Sequence, residues 1–181
     1  MSVIHGRQRP IAKSRRGPGR RKPRSLAPLV GLVLIAAVGW AKADSGLPVP
    51  RFVSLRAAET NLRAGPGTGY PVEWVLLRRA WPVEVIAEHD TWRRVRDVEG
   101  TVGWVHQTML SGERTVVVIG AIRTVFDTPA ADARPVLRAG PGVVATLIAC
   151  DVAWCRIEID GERGWIEREH IFGVLPGEAF E

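Results

Sequence analysis

The chain has 181 residues and a formal net charge of +6, enough length for one medium domain or two small ones. The positive sign points at first to nucleic acid, but ten of the 25 Lys and Arg, all three lysines included, lie in residues 1–43 with no acid among them. From Asp44 onward 15 basic residues face 19 acidic ones, which argues against a nucleic-acid partner.

Residues 1–25 are basic and rich in Gly and Pro, and cannot pack a core. Leu26–Ala41 is an uncharged, mostly apolar run of 16 residues, shorter than the about 20 that a membrane span needs. Ala41-Lys42-Ala43 forms an A-x-A site ahead of Asp44. This order predicts a signal peptide over residues 1–43, with a long basic n-region and cleavage after Ala43. The rival is an uncleaved leader that anchors the protein in the inner membrane, the one reading that makes the membrane a partner. Arg15-Arg16 hints at twin-arginine export but lacks a following apolar residue. By any of these routes the remainder is exported, to the periplasm or cell envelope.

A linker spans 44–51, with SGLPVP at Ser45–Pro50. From Phe52 onward, short segments rich in Val, Ile, Thr and Trp are punctuated by Gly, Pro and Asp. Strands are expected at Val83–Ala87, Trp92–Arg96, Thr115–Ile119, Val143–Ala149 and Arg156–Ile159, several of them alternating apolar with polar. His106–Leu110 and Glu167–Ile171 each read as one short helical turn. The class is all-β, with strands too short for a large sandwich.

The chain repeats itself. Trp92-Arg-Arg-Val is followed by Gly103-Trp104-Val105, and Trp154-Cys-Arg-Ile by Gly164-Trp165-Ile166, with Trp-to-Trp spacings of 12 and 11. Two modules are expected, at 52–112 and 113–177. LRAGPG also occurs twice, at Leu62–Gly67 and Leu137–Gly142, but out of step with this repeat. Pro66 precedes Trp92 by 26 residues, whereas Pro141 precedes Trp154 by only 13 and Pro129 by 25. The first copy therefore corresponds to Val125–Pro129, and the second falls where the first module has Leu77–Pro82. Pro71-Val72 and Pro135-Val136 support this alignment. Gly65 and Gly67 around Pro66 suit a tight loop with at least one residue at positive φ.

The first module, with Asn61–Gly67, Tyr70-Pro71-Val72, a W-x-x-V strand and Gly103–Val105, resembles the bacterial Src-homology-3-like (SH3b) domain family. The second resembles its exported members, through Cys150–Ile157, Gly161–Trp165 and Phe172-Gly173-Val174. It departs from them in lacking Asn-Leu-Arg at its start. The resemblance covers about 50–177 and implies two tandem SH3-like β-barrels that bind a peptide or the peptidoglycan stem without catalysis.

Cys150 and Cys155 flank Asp151–Trp154. If these four residues form a hairpin loop, the cysteines stand opposite one another within disulfide range, and export favours oxidation. The matching positions of the first module hold Glu88 and Arg93, as suits a cross-strand pair. Two free buried thiols, or a thiol-dependent enzyme using Cys155 with His170, are the alternatives left open. No motif for a metal, a cofactor or a nucleotide is present, so no catalytic residue is assigned. Trp92 and Trp154 open strands beside Arg94/Arg96 and Arg156, as in a groove that stacks on peptide or glycan. The candidate ligand residues are Arg63, Tyr70, Trp74, Trp92 and Trp154, with Tyr70, Trp74 and Trp92 lining one groove in which Arg63 meets a ligand carboxylate. The partner is a cell-wall peptide; the alternative is a scaffold role toward another envelope protein.

Overall fold

A computed structural model describes residues 45–179; the predicted leader, 1–43, lies outside the described residues. These form fourteen strands, two three-residue 3-10 turns and no α-helix, and none of their helices is long and apolar enough to cross a membrane. The first sheet contains β1 (Arg51–Leu55), β2 (Thr60–Arg63), β3 (Val72–Leu76), β4 (Pro82–His89), β5 (Trp92–Arg96), β6 (Val102–His106) and β7 (Leu110–Ser111). The second contains β8 (Thr115–Val118), β9 (Arg123–Phe126), β10 (Pro135–Ala139), β11 (Val144–Cys150), β12 (Trp154–Ile159), β13 (Glu162–Glu167) and β14 (Ile171–Phe172). The strand orders, β3-β2-β6-β5-β4-β1-β7 and β10-β9-β13-β12-β11-β8-β14, are the same order used twice. Both expected helical turns are present, at Gln107–Met109 and Arg168–His170.

Each sheet curls into a small barrel around its own apolar core, Leu55, Leu62, Val83, Val85, Val95, Val105 and Leu110 in the first. Strand pairing maps these one by one onto Val118, Val125, Ala145, Leu147, Ile157, Ile166 and Ile171 of the second. Both long strands are bulged at the same place, between Val85 and Ala87 and between Leu147 and Ala149. Alternation decides what lies outside: Arg93 and Val95 point inward on β5, leaving Trp92 half-buried and Arg94 and Arg96 exposed on the outer face.

The register bears out the first LRAGPG alignment. Arg63 pairs with Trp104 as Phe126 pairs with Trp165, so Leu62 answers to Val125 and Pro66 to Pro129. The second copy needs a correction. Leu137–Ala139 is the end of β10, and only Gly140–Gly142 is a turn, so the six residues begin at the place of Trp74 rather than Leu77. Gly142 and Ala80 donate their N–H groups to Val118 and Leu55 and both have positive φ, 83° and 59°. The Pro-Val pairs are one residue out of step, because Arg63 pairs with Val72 and Phe126 with Pro135. Gly65 and Gly67 are not among the positive-φ residues. Gly65 is instead excluded from carrying a side chain by Tyr70, whose ring would lie 2.4 Å from a Cβ.

Gly103 and Gly164, the glycines before the second Trp of each module, have one shared task. A Cβ on Gly103 would stand 2.7 Å from Cβ of Leu62, and one on Gly164 would stand 2.6 Å from Cγ1 of Val125 and 2.7 Å from the carbonyl oxygen of Phe126. The bare backbone lets the inward residue of β2 or β9 cross directly over β6 or β13.

At the neck of the central hairpin the two barrels use different chemistry at one position. Cys150 pairs with Cys155 and the two form a disulfide, as expected. Glu88 pairs with Arg93. The Glu88 side chain is fully buried, 2.5 Å from Nη2 of Arg51 and 3.1 Å from Nε of Arg93. Ser45 donates to the same carboxylate from its N–H and its hydroxyl, at 2.8 and 2.9 Å. Burial pushes the Glu88 carboxyl up, but the Ser45 and Arg51 hydrogen bonds and the Arg51 charge outweigh it and hold the group below 4.5. A carboxyl lowered in the folded state contributes stability above its unfolded value and loses it as pH falls through the folded one.

Two outcomes are expected. Gly164→Ala costs about 1–3 kcal/mol through forced displacement of Val125 and the β9 backbone, read as a lower thermal midpoint; an unchanged midpoint would show that the crossing is not tight. Glu88→Gln lowers the midpoint at neutral pH, and its difference from the wild type narrows as pH drops below 4.5. A difference that is constant with pH would remove Glu88 from the acid response.

Candidate functional site: the outer tryptophan faces

Residues opposite one another in an antiparallel pair share a face, so the register lays out the outer surface of the first barrel. Arg94 pairs with Trp104, and Trp104 with Arg63. One row along, His89 pairs with Trp92 and Trp92 with His106. The Trp92 ring meets His106 edge-on at 5.4 Å, and His89 meets Trp104 at 6.5 Å. The result is two half-buried tryptophans among two arginines and two histidines. Nδ1 of His106 also lies 2.8 Å from Oγ1 of Thr108, fixing the ring at the start of the 3-10 turn.

Arg63 belongs to this face, and its Nη1 donates to the carbonyls of Thr68 and Tyr70 at 3.2 and 2.7 Å. That guanidinium nitrogen holds the loop between β2 and β3 closed, while Tyr70 lies across Gly65 with 49% of its surface exposed. Trp74 stands apart. It pairs with Leu62, the core residue, so it emerges at the sheet edge on the opposite side from Trp92. The expected grouping of Tyr70, Trp74 and Trp92 in one groove is therefore divided: Arg63 and Trp92 share a face, and Trp74 leaves it.

The second barrel repeats the aromatic face with other neighbours. Trp154 occupies the place of Trp92, Trp165 that of Trp104, Phe126 that of Arg63 and Glu167 that of His106. Phe126 meets Trp154 edge-on at 6.0 Å. Here the surface deepens into an open cavity of about 580 Å³ beside Val152, Trp154, Glu167, Glu169, Val174 and Pro176. Its walls come from the hairpin tip, the second 3-10 turn and the chain's last described segment.

That assembly is braced by charge. The Asp151 carboxylate accepts from the N–H groups of Ala153 and Trp154, both at 2.8 Å, and these bonds hold its pKa down. Arg168 donates to the carbonyls of Asp151 at 2.6 Å, of Glu178 at 2.9 Å and of Leu175. Glu178 takes two bonds from Arg114 and one from the N–H of Leu175. Burial raises its pKa, and these partners outweigh burial and lower it. Gly173, with φ of 134°, starts this tail where a Cβ would lie 2.5 Å from the Thr115 carbonyl. Sequence reading found Trp154 through the repeat but not the cavity. Its walls come from separate segments of 152–176 that no local sequence pattern links.

Glu167, Glu169 and His170 bring possible donor atoms within 4.8 Å of one another on the rim. Nε2 of His170 is 2.7 Å from the Glu167 carboxylate, a hydrogen-bond distance between the two side chains. Both cysteines are held in the disulfide, which leaves no thiol for the alternative pairing of Cys155 with His170. Of the other Trp residues described, Trp81 lies under Arg78, whose Cζ is 4.9 Å from its ring, beside the junction with Gly142.

The model of the bacterial SH3 domain family matches the chain twice, at residues 56–112 and 120–173. No curated protein matches it significantly. Among solved structures it is similar to NlpC2 from Trichomonas vaginalis at 12% identity and a TM-score of 0.32, covering 68% of this chain and 48% of that one. An NlpC/P60 family protein from Bacillus cereus gives 13% identity and a TM-score of 0.31 over 67% and 55%. NlpC1 from Trichomonas vaginalis gives 13% and 0.31 over 72% and 48%. The chain thus spans about half the length of these proteins.

Proposed function

This chain belongs to the bacterial SH3 domain family, and we propose on that premise that its two barrels are a non-catalytic binding module of the cell envelope. The ligand is a peptide, with the peptidoglycan stem as the first choice. The observation that carries the reading is the pair of half-buried tryptophans in the same two positions of both outer faces. A fold alone needs no such pair facing outward, whereas stacking on an extended ligand does. Arg63 and Arg94 in the first barrel favour a ligand carboxylate. The carboxylates around Trp154 favour an ammonium group, stacked on the indole. A stem peptide carries both charges.

A scaffold role toward another envelope protein is the second reading, favoured by Val152, which is 87% exposed at the hairpin tip beside the cavity. Co-sedimentation with insoluble peptidoglycan separates the two. The stem reading predicts that the protein pellets with the wall, and that Trp154→Ala weakens this by about tenfold or more without a matching fall in thermal midpoint. Retention on envelope proteins after wall digestion, with no wall binding, would transfer the function to the scaffold reading.

A further inference from the structure

Five of the eight exposed large apolar side chains among the described residues, Tyr70, Val72, Trp74, Val75 and Leu77, fall within eight consecutive positions. They lie on and beside β3, which ends its sheet and has no neighbour on its outer edge among the described residues. An edge of this kind is a template for another strand, and natural sheets blunt it with proline, charge or a cover. The equivalent edge of the second barrel is better protected: both edge strands are bulged and carry one charge, but β10 opens on Pro135, and its Leu137 and Ala139 are at least half-buried. β3 carries Trp74 at 58% exposure and Val75 at 44%, with Glu73 as its one charge.

We propose that β3 pairs antiparallel with β3 of a second copy of this chain, making a closed two-fold dimer. The charges select this occupant. Glu73 sits near the start of the strand and Arg78 and Arg79 follow its end. An antiparallel two-fold pairing centred on Val75 sets Glu73 of each copy opposite Leu77 of the other and one diagonal step from its Arg79, so both ends are matched twice. Arg78 is already engaged, with Gly142 and with the Trp81 ring, which leaves Arg79 as the cation for the contact. A parallel pairing would set like charges together. The pairing consumes Trp74, which the ligand face does not use, and leaves the outer faces of both copies open. The dimer then offers four tryptophan faces to a polymeric ligand, and one engaged face raises the effective concentration of the others.

Sedimentation velocity on the full chain, purified from an export-competent host, tests this. The wild type sediments as a dimer that dissociates on dilution. Val75→Lys, at an exposed position, raises the dissociation constant by about tenfold or more. Glu73→Arg weakens the dimer most at low salt, and adding Arg79→Glu to the same chain restores it. Circular dichroism confirms that each variant keeps its fold. A monomer at concentrations on the order of 100 µM, a dimer indifferent to Val75→Lys, a charge swap without rescue, or a different polypeptide found on this edge would each overturn the proposal.

Discussion

The crossing of a buried aliphatic side chain over a bare glycine is the contact on which each barrel depends. Leu62 over Gly103 and Val125 over Gly164 bring the second strand of each sheet against the sixth. Without that approach the sheet order cannot continue past β6 or β13. The apolar side chain would also lose the place where it is fully enclosed. The next residue along the glycine strand is turned outward by strand alternation, and in both barrels it is Trp. Closure of the core and presentation of the aromatic face are thus two consequences of one Gly-Trp step.

The neck of the central hairpin shows how one structural demand is met by two chemistries. A covalent bond joins Cys150 and Cys155, while Glu88, Arg93, Arg51 and Ser45 form a buried ionic cluster in the first barrel. The disulfide closes a short loop and contributes about 2 kcal/mol in the chain-entropy model. The ionic cluster satisfies a carboxylate that burial alone would disfavour. It also draws Ser45, next to the predicted processed terminus, onto the barrel. The barrels meet through Thr115, whose hydroxyl donates to the Ala80 carbonyl at 2.7 Å, and through an edge-on contact of Phe52 and Phe172 at 5.0 Å.

Much of this was legible in the sequence, and what was missed follows a physical rule. The Trp anchors gave the repeat, and the flanks of Trp154 gave the cysteine pairing, because both depend on short-range alternation. LRAGPG misleads because composition does not specify backbone state: Gly142 holds a left-handed turn, while Gly65 makes room for Tyr70. Residue spacing groups Trp74 with Trp92, because the shift in register between Leu62 and Arg63, which decides which way each points, leaves no mark in it. The cavity at Trp154 was hidden for another reason. Its far wall is a tail held by Arg114 and Arg168, two arginines whose partners lie up to 64 positions away.

The central claim is that the outer tryptophan faces, and not the sheet edge, meet the envelope ligand. Titration of ¹⁵N-labelled protein with a soluble muropeptide tests it most directly, because each indole N–H gives its own signal. The account predicts that the indoles of Trp92, Trp104, Trp154 and Trp165 shift with added ligand while those of Trp74 and Trp81 stay in place. Movement confined to Trp74 and Trp81, or no movement at all, would contradict it.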